Sequence, residues 1–495
     1  MSVLCAIPLF LSLCMSVLAF LLKGDKRFEK IGLLGFAGLV VSSGALLYYS
    51  AMNGLLILEI GGWRMPYGIS MQVDVFSATI NFFISILGLC AYMFSLDEIK
   101  EKRSRAGYYS AMFTLFAGAN GVLLTGDLFN MYVWVEVLVV SSFLLLSMGQ
   151  NKKQIKGALP YVLLNFLGSM FILSSIGLIY GLTGALNFAQ ISLLMDGLGI
   201  GPSATFGALF LAGFGIKCAI FPLFFWLPES YHRPPAAVSA FFAGVVTKVG
   251  VCALFKVYGL LFYKHMEVFQ GALIWIGVFT MVSGVIGAVA LYDVRRVLSY
   301  HIISQIGYMI FGLGLFGAKA WAASIFFIVH NILAKSNLFF IGAEMNRLGG
   351  SYNLQKTRGL YNFYPLISLL FFISAFSLTG IPPFSGFWGK LGLVEAGFEA
   401  NEYLASSFAL LVGLLTTYSM VKIWILGFWE TPKSEKCRGP KNKYQMKRIV
   451  PIFILSMLSL YIGLWPEMLL SLSKQGSEQL LRPKLYQEQI LGGVR

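Results

Sequence analysis

Six ionisable side chains fall deep inside stretches that are otherwise free of charge: Glu136, Lys217, Lys248, His330, Lys335 and Lys390. The chemistry open to such a set is proton holding and release. An amine in an apolar setting gives up its proton more readily, whereas a nearby carboxylate holds the proton on, so a Glu/Lys pair can change occupancy when either partner's surroundings change. Glu136 facing Lys217 is the natural pair. Lys248 and Lys335, with His330 about a turn and a half before Lys335, would carry a relay of titratable groups and water toward Lys390. The bland alternative, buried ion pairs with no transport role, meets a shortage of acids: four deep lysines stand against one deep glutamate. Lys256 and Lys422 lie nearer the ends of their stretches, where an ammonium snorkelling to the headgroups is expected.

Other chemistries lack their residues. There is no H-E-x-x-H, no G-x-S-x-G, no phosphate loop and no G-x-G-x-x-G after a strand. The six cysteines, Cys5, Cys14, Cys90, Cys218, Cys252 and Cys437, are scattered without C-x-x-C spacing. The expectation is a chain with no catalytic constellation, no cofactor and no metal site.

The elements that must hold these side chains are dictated by the solvent. The chain has 495 residues, of which 57% are hydrophobic and 12% charged, with a mean hydropathy of +0.76. A water-soluble core could not hide that much apolar surface, so the solvent is lipid. About 14 runs are long enough to cross roughly 30 Å of hydrocarbon, starting near residues 2, 32, 72, 107, 128, 157, 203, 234, 268, 299, 320, 362, 402 and 449. The first run lacks the basic flank and small-residue cleavage site of a signal peptide, and is expected to be retained. The fold class is therefore an all-α polytopic membrane protein.

Lys and Arg mark which loops lie inside. With the N-terminus outside, the inner loops are "KGDKRFEK", "DEIKEKRSRAG", "NKKQIK", "ESYHRPP", "DVRRVLS", "NRLGGSYNLQKTRG" and "TPKSEKCRGPKNKYQMKR", which hold about 24 of the 37 basic residues. Both termini are thereby expected outside. The net charge of +15 is a topology signal, and no nucleic-acid partner is expected.

Two runs are interrupted by helix breakers. Pro222 follows Lys217 by five residues, and Pro382 and Pro383 precede Lys390. Free backbone groups at membrane depth are tolerated only where protein or a water-filled cavity satisfies them, so each break marks an internal hydrated site. Breaks in the seventh and twelfth spans imply a five-helix unit that repeats, inverted because five is odd. The expected division is 1–106 (helices 1–3), 107–263 (first repeat), 264–430 (second, inverted repeat) and 431–495 (inner loop, helix 14 and outer tail).

The stretches "TGDLFNMYVWVE", "FPLFFWLPESYHRPPAAVSA" and "LTGIPPFSGFWGK" resemble the proton-translocating antiporter subunits shared by respiratory complex I, membrane-bound hydrogenases and the Mrp multisubunit cation/proton antiporters. "GGWRMPYGI", "TGDLFN" and "LLRPKLYQEQIL" are most similar to the D-type subunits of the Mrp group. The resemblance implies that Glu136 fills the family's fifth-helix glutamate, Lys217 its seventh-helix lysine and Lys248 its eighth-helix lysine. His330 and Lys335 would be the eleventh-helix relay positions, and Lys390 the twelfth-helix lysine, a place that is glutamate in some complex I relatives. It further implies exchange of protons against a monovalent cation such as Na+, other antiporter subunits and membrane lipid as partners, and residence in the cell membrane as a secondary transporter subunit, not an enzyme. The alternative is a pumping subunit of complex I or of a hydrogenase.

Overall fold

The computed structural model describes residues 2–22, 27–63, 67–99, 102–149, 152–195, 197–430 and 444–491. Outside these lie the middle of the "GGWRMPYGI" motif (64–66), Cys437 with most of the last basic inner loop (431–443), and parts of the first three basic loops.

The chain runs α1 (Ile7–Leu21), α2 (Arg27–Asn53), a hairpin of β1 (Leu56–Glu59) and β2 (Ser70–Val73), then α3 (Val75–Glu98), α4 (Lys102–Leu124), α5 (Leu128–Ser147) and α6 (Lys152–Thr183). It continues through α7 (Phe188–Met195), α8 (Ile200–Cys218), α9 (Trp226–Tyr231), α10 (Ala236–Phe241), α11 (Thr247–Leu261), α12 (Glu267–Ala290), α13 (Val294–Gly314) and α14 (Ala318–Gly349). Last come α15 (Leu360–Phe363), α16 (Pro365–Thr379), α17 (Ser385–Glu399), α18 (Tyr403–Ile423), α19 (Met446–Leu464), α20 (Glu467–Leu480) and α21 (Pro483–Leu491). A five-residue π-helical turn, Phe242–Val246, joins α10 to α11.

Among the described residues, twelve helices are long and apolar enough to cross a membrane, where the sequence counts about fourteen runs. The two shortfalls have physical causes. The 23-residue α4 is long enough but carries Asn120, Ser110 and Thr114, whose side chains bond to α1 and α3. The run near residue 362 is broken into α16 and α17, each of 15 residues and about 22 Å long at 1.5 Å per residue, too short to span alone. The hairpin was not foreseen: β1 pairs antiparallel with β2 in register Leu56 to Val73, and Gly61 and Gly62 turn the chain at positive φ.

Burial separates the helices into two kinds. The span Ala236–Leu261 is buried throughout, Ala318–Gly349 is buried along its middle from Ala323 to Met345, and Val294–Gly314 is mostly buried; these form the centre of the bundle. The outer helices α5, α6 and α18 present Val140, Leu163, Phe166 and Leu414 outward, the faces that lipid or a protein neighbour would cover.

Candidate functional site

The first break is built by the end of α8. Its helix stops at Ala219, which takes the left-handed conformation at φ 60°, and the chain then turns through Pro222 into the short α9. Trp226 Nε1 donates to the Ile216 carbonyl at 3.0 Å, which also accepts from the Ala219 N–H at 3.1 Å. At the far end, Glu229 accepts from Arg233 at 2.6 Å and from Arg296 at 3.0 Å. Burial pushes the Glu229 carboxyl up, but the Arg233 hydrogen bond and the Arg296 charge outweigh it and hold the group below its ordinary value.

This stop places Lys217 in the last turn of α8, almost fully buried. Its Nζ lies 3.9 Å from Glu136 Oε1 on α5, donates to Ser169 Oγ at 2.9 Å and approaches the Asn165 carbonyl at 3.4 Å. The Ser169 hydroxyl in turn donates to Glu136 Oε1, so one hydroxyl bridges the two charges. The Glu136 side chain is 30% exposed on the outer face of the bundle, against 6% for Lys217.

Lys248 stands two residues past the π-helical turn and is fully buried, with one long contact of 3.5 Å to Thr247 Oγ1. A Cβ added at Gly250 would lie 2.9 Å from Cys218 Sγ and 3.7 Å from Lys217 Cβ, so α11 passes directly over the end of α8.

The second break has another construction. Helix α16 ends at Gly380, which holds φ 85°, and the chain passes Pro382 and Pro383 into α17. The peptide bonds before Pro222 and before Pro383 are both cis. Gly463 of α19 lets the break come close: a Cβ there would lie 2.4 Å from the Pro383 carbonyl oxygen. Lys390 sits on α17, beyond the break, and its Nζ donates back to the Leu378 and Thr379 carbonyls at 3.1 and 2.9 Å. A cation at carbonyls of a helix C-terminus is favoured by the helix dipole. Lys390 also lies 5.2 Å from the Tyr308 ring centre and lines a cavity of about 260 Å³ with Tyr308, Thr379, Phe387 and Thr417.

Between the breaks, His330 on α14 is held by three serines from three helices. Its Nδ1 lies 2.8 Å from Ser385 Oγ and 3.4 Å from Ser377 Oγ, and Ser459 bonds both serines at 3.0 and 2.9 Å. Lys335 is fully buried. Among the described residues, Lys335 Nζ, His330 Nε2, His301 Nδ1 and both amide atoms of Gln305 are buried without a protein hydrogen-bond partner.

Of the six side chains singled out by sequence, Glu136 and Lys217 meet and Lys248 lies over them. One expectation is corrected. Lys256 is 3% exposed and does not snorkel; its Nζ donates to the Leu123 carbonyl at the end of α4. Lys422 turns to the end of α12, donating to the Val289 and Leu291 carbonyls at 2.7 Å each. The shortage of acids is met by helix-end carbonyls, which the composition did not reveal. Sequence reasoning also missed Asn165, Ser169 and His301. His301 bonds Ser419 at 2.9 Å, and with Gln305 four residues on, it formed a legible polar face in an apolar span.

Comparison with known proteins agrees with this architecture. The family model described as NADH:quinone oxidoreductase/Mrp antiporter, TM, matches residues 125–416. The chain is 39% identical over 461 residues to a D-type Na(+)/H(+) antiporter subunit of Alkalihalophilus pseudofirmus, covering 92% of this chain and 93% of that one. A chain of the Mrp complex from Dietzia sp. DQ12-45-1b superposes with a TM-score of 0.93 at 28% identity, over 99% of this chain and 100% of the other. A chain of respiratory complex I from Thermus thermophilus shares the fold, with a TM-score of 0.76 at 24% identity over 94% and 98%. A match over more than half its length, and a relative this similar from end to end, show that the chain belongs to the NADH:quinone oxidoreductase/Mrp antiporter family of membrane proteins.

Proposed function

We propose that this chain is the proton-translocating subunit of a multisubunit Na+/H+ antiporter, working beside other antiporter subunits as a transporter subunit and not as an enzyme. The relatives' names supply the class of partner and cation. The single observation that carries the proton role is the Glu136–Ser169–Lys217 bridge, a carboxylate and an amine joined through one hydroxyl at membrane depth. A hydroxyl that donates to the carboxylate and accepts from the ammonium can hand its own proton to the carboxylate as it takes one from the ammonium, leaving the amine neutral and the carboxyl protonated; rotation of the hydroxyl then restores its first orientation. A buried polar group without a protein partner requires water, so Lys335, His330 and Gln305 describe a hydrated interior leading from Lys248 to Lys390. Pro222, Pro382 and Pro383 stop helices beside the two ends of that interior, as the two five-helix repeats 107–263 and 264–430 would require.

The test is cation/proton exchange by everted vesicles carrying the whole complex. Glu136→Ala is expected to abolish exchange with the assembly intact, because removing one partner strands the other charge. Near-normal exchange at equal protein level would remove the pair from the mechanism.

We further propose residence in the cell membrane with both termini outside. A cysteine placed at Gln475 is expected to react with an impermeant reagent added to intact cells, and one at Ser434, outside the described residues, to resist it. The opposite pattern would reverse the orientation.

A further inference from the structure

The three serines that hold His330 differ from other buried serines of the bundle. Ser324 and Ser374, for example, donate to the carbonyl four residues back on their own helices, at 2.9 and 3.0 Å. Ser377 of α16, Ser385 at the start of α17 and Ser459 of α19 are buried, and among the described residues their hydroxyls hydrogen-bond only with one another and with His330. Ser377 Oγ lies 2.8 Å from Ser385 Oγ and 2.9 Å from Ser459 Oγ, and the 3.0 Å between Ser385 and Ser459 closes a ring. His330 Nδ1 joins it at 2.8 Å from Ser385 Oγ, with a longer approach of 3.4 Å to Ser377. Each hydrogen bond needs one proton, so the four short contacts need four. The hydroxyls supply one each, and the fourth must sit on His330 Nδ1, which donates to Ser385. A neutral imidazole with its proton on one nitrogen presents the other as an acceptor. That nitrogen, Nε2, is buried without a protein partner among the described residues, beside Gly386, where an added Cβ would lie 3.0 Å from it. Ser459 lies outside residues 125–416, the part that the family model matches.

We infer that Ser377, Ser385 and Ser459 are positioning residues that hold His330 in its Nδ1–H tautomer, so that the histidine takes up and gives back its proton at Nε2 alone. Nε2 takes a proton from a hydronium ion of the hydrated interior, leaving water and an imidazolium with an N–H on both nitrogens, and returns that proton to a water on the same side. The closed ring is no second exit. A proton handed from Nδ1 to Ser385 would need an acceptor beyond the three hydroxyls, and among the described residues none is hydrogen-bonded to them. A merely structural cluster would tie α14, α16, α17 and α19 together whichever nitrogen carried the proton.

The inference rests on the proton pathway proposed above, and two readouts keep their failures apart. The tautomer is read by nitrogen NMR of the whole purified complex carrying isotope-labelled histidine, with the His330 signal assigned by its loss in His330→Gln. Exchange is read in everted vesicles carrying the same complex. The unaltered complex is expected to show the neutral ring with its proton on Nδ1. Ser459→Ala leaves two hydroxyl protons for two short contacts, Ser377 with Ser385 and Ser385 with His330, so a proton on Nδ1 is no longer required. The Nε2–H form is then expected to appear, with exchange about tenfold slower per assembled complex, and Ser459→Thr, which returns a hydroxyl, to restore both. A proton on Nε2 in the unaltered complex overturns the inference, as does a Ser459→Ala complex that keeps the Nδ1–H form or that changes tautomer without slowing exchange. Each of these leaves the pathway standing and removes the ring's part in it. Normal exchange by His330→Gln is a different result, which takes the histidine itself off the pathway. Should Ser459→Ala fail to assemble, Ser377→Ala leaves the same proton count and decides by the same two readouts.

Discussion

The two broken helices hold their lysines in opposite ways. At the first, Lys217 comes before the break, in the last turn of α8, and is steadied by a carboxylate through Ser169. At the second, Lys390 comes after the break and is steadied by the carbonyls on which α16 stops. The first arrangement reaches the outer face of the bundle through a partly exposed Glu136, whereas His330 and Lys335 beside the second are sealed. A charge at the bilayer centre costs roughly 2.5 to 3.5 kcal/mol on insertion scales, and the protein offsets it once with a counter-charge and once with dipoles. A counter-charge can itself be titrated; a pair of carbonyls cannot. On the proposed pathway the first site switches with its partner, while the second responds through the charges around it and the cavity it lines.

The sharpest way to break this contrast is Lys390→Arg. The guanidinium keeps the charge at the carbonyls but does not give up a proton, so exchange is expected to fall by about a hundredfold or more with normal expression. Normal transport by this variant would make Lys390 a fixed charge, and the two sites would then differ in role as well as in construction.

Gly463→Ala tests whether the second break must be held where it is. The new Cβ meets the Pro383 carbonyl at 2.4 Å and the Ser385 N at 2.7 Å, so the backbone that carries Ser385 must move. Misplacing a proton relay by about 1 Å is expected to lower exchange by up to about a hundredfold. The measurement is vesicle exchange per assembled complex, and an unchanged rate would show that the break tolerates movement.

Ser169→Ala tests the bridge peculiar to the first site. Losing a charge-assisted hydrogen bond worth about 1.5 kcal/mol is expected to slow exchange about tenfold without affecting assembly. A rate as low as that of Glu136→Ala would mean that the hydroxyl is the sole route between the charges.

The smallest effect contrasts the two helix stops. Ala219 holds a left-handed conformation that Gly380 adopts without steric cost, so Ala219→Gly is expected to stabilise the complex and Gly380→Ala to destabilise it, each by about 1 kcal/mol. Thermal inactivation of the purified complex reads both. Equal and opposite shifts would show that the stops are interchangeable in construction.

Much of this was legible beforehand, and for definite reasons. Insertion energetics make a deep charge conspicuous in an apolar run, which is why Glu136, Lys217, Lys248, Lys335 and Lys390 could be picked out singly. Helix breakers are local, so Pro222 and the Pro382–Pro383 pair marked their breaks without any tertiary information. Ser169 was invisible because a serine costs little in a span and most such residues simply bond back to their own helix. Lys256 was misjudged because distance from a span end does not say which way a long stem points.

Sequence by itself determined the solvent, the approximate set of spans, the positions of the breaks and the identity of the deep charges. All of these follow from the local cost of placing a given group in hydrocarbon. Only the tertiary structure decided which groups meet: that Ser169 joins Glu136 to Lys217, that carbonyls at the end of α16 receive Lys390, and that Tyr486 reaches Asp74 across 412 positions of chain. Hydrocarbon exerts no force that selects one helix neighbour over another. Partners are chosen by close packing and by the few polar groups that must find one another once the helices are assembled.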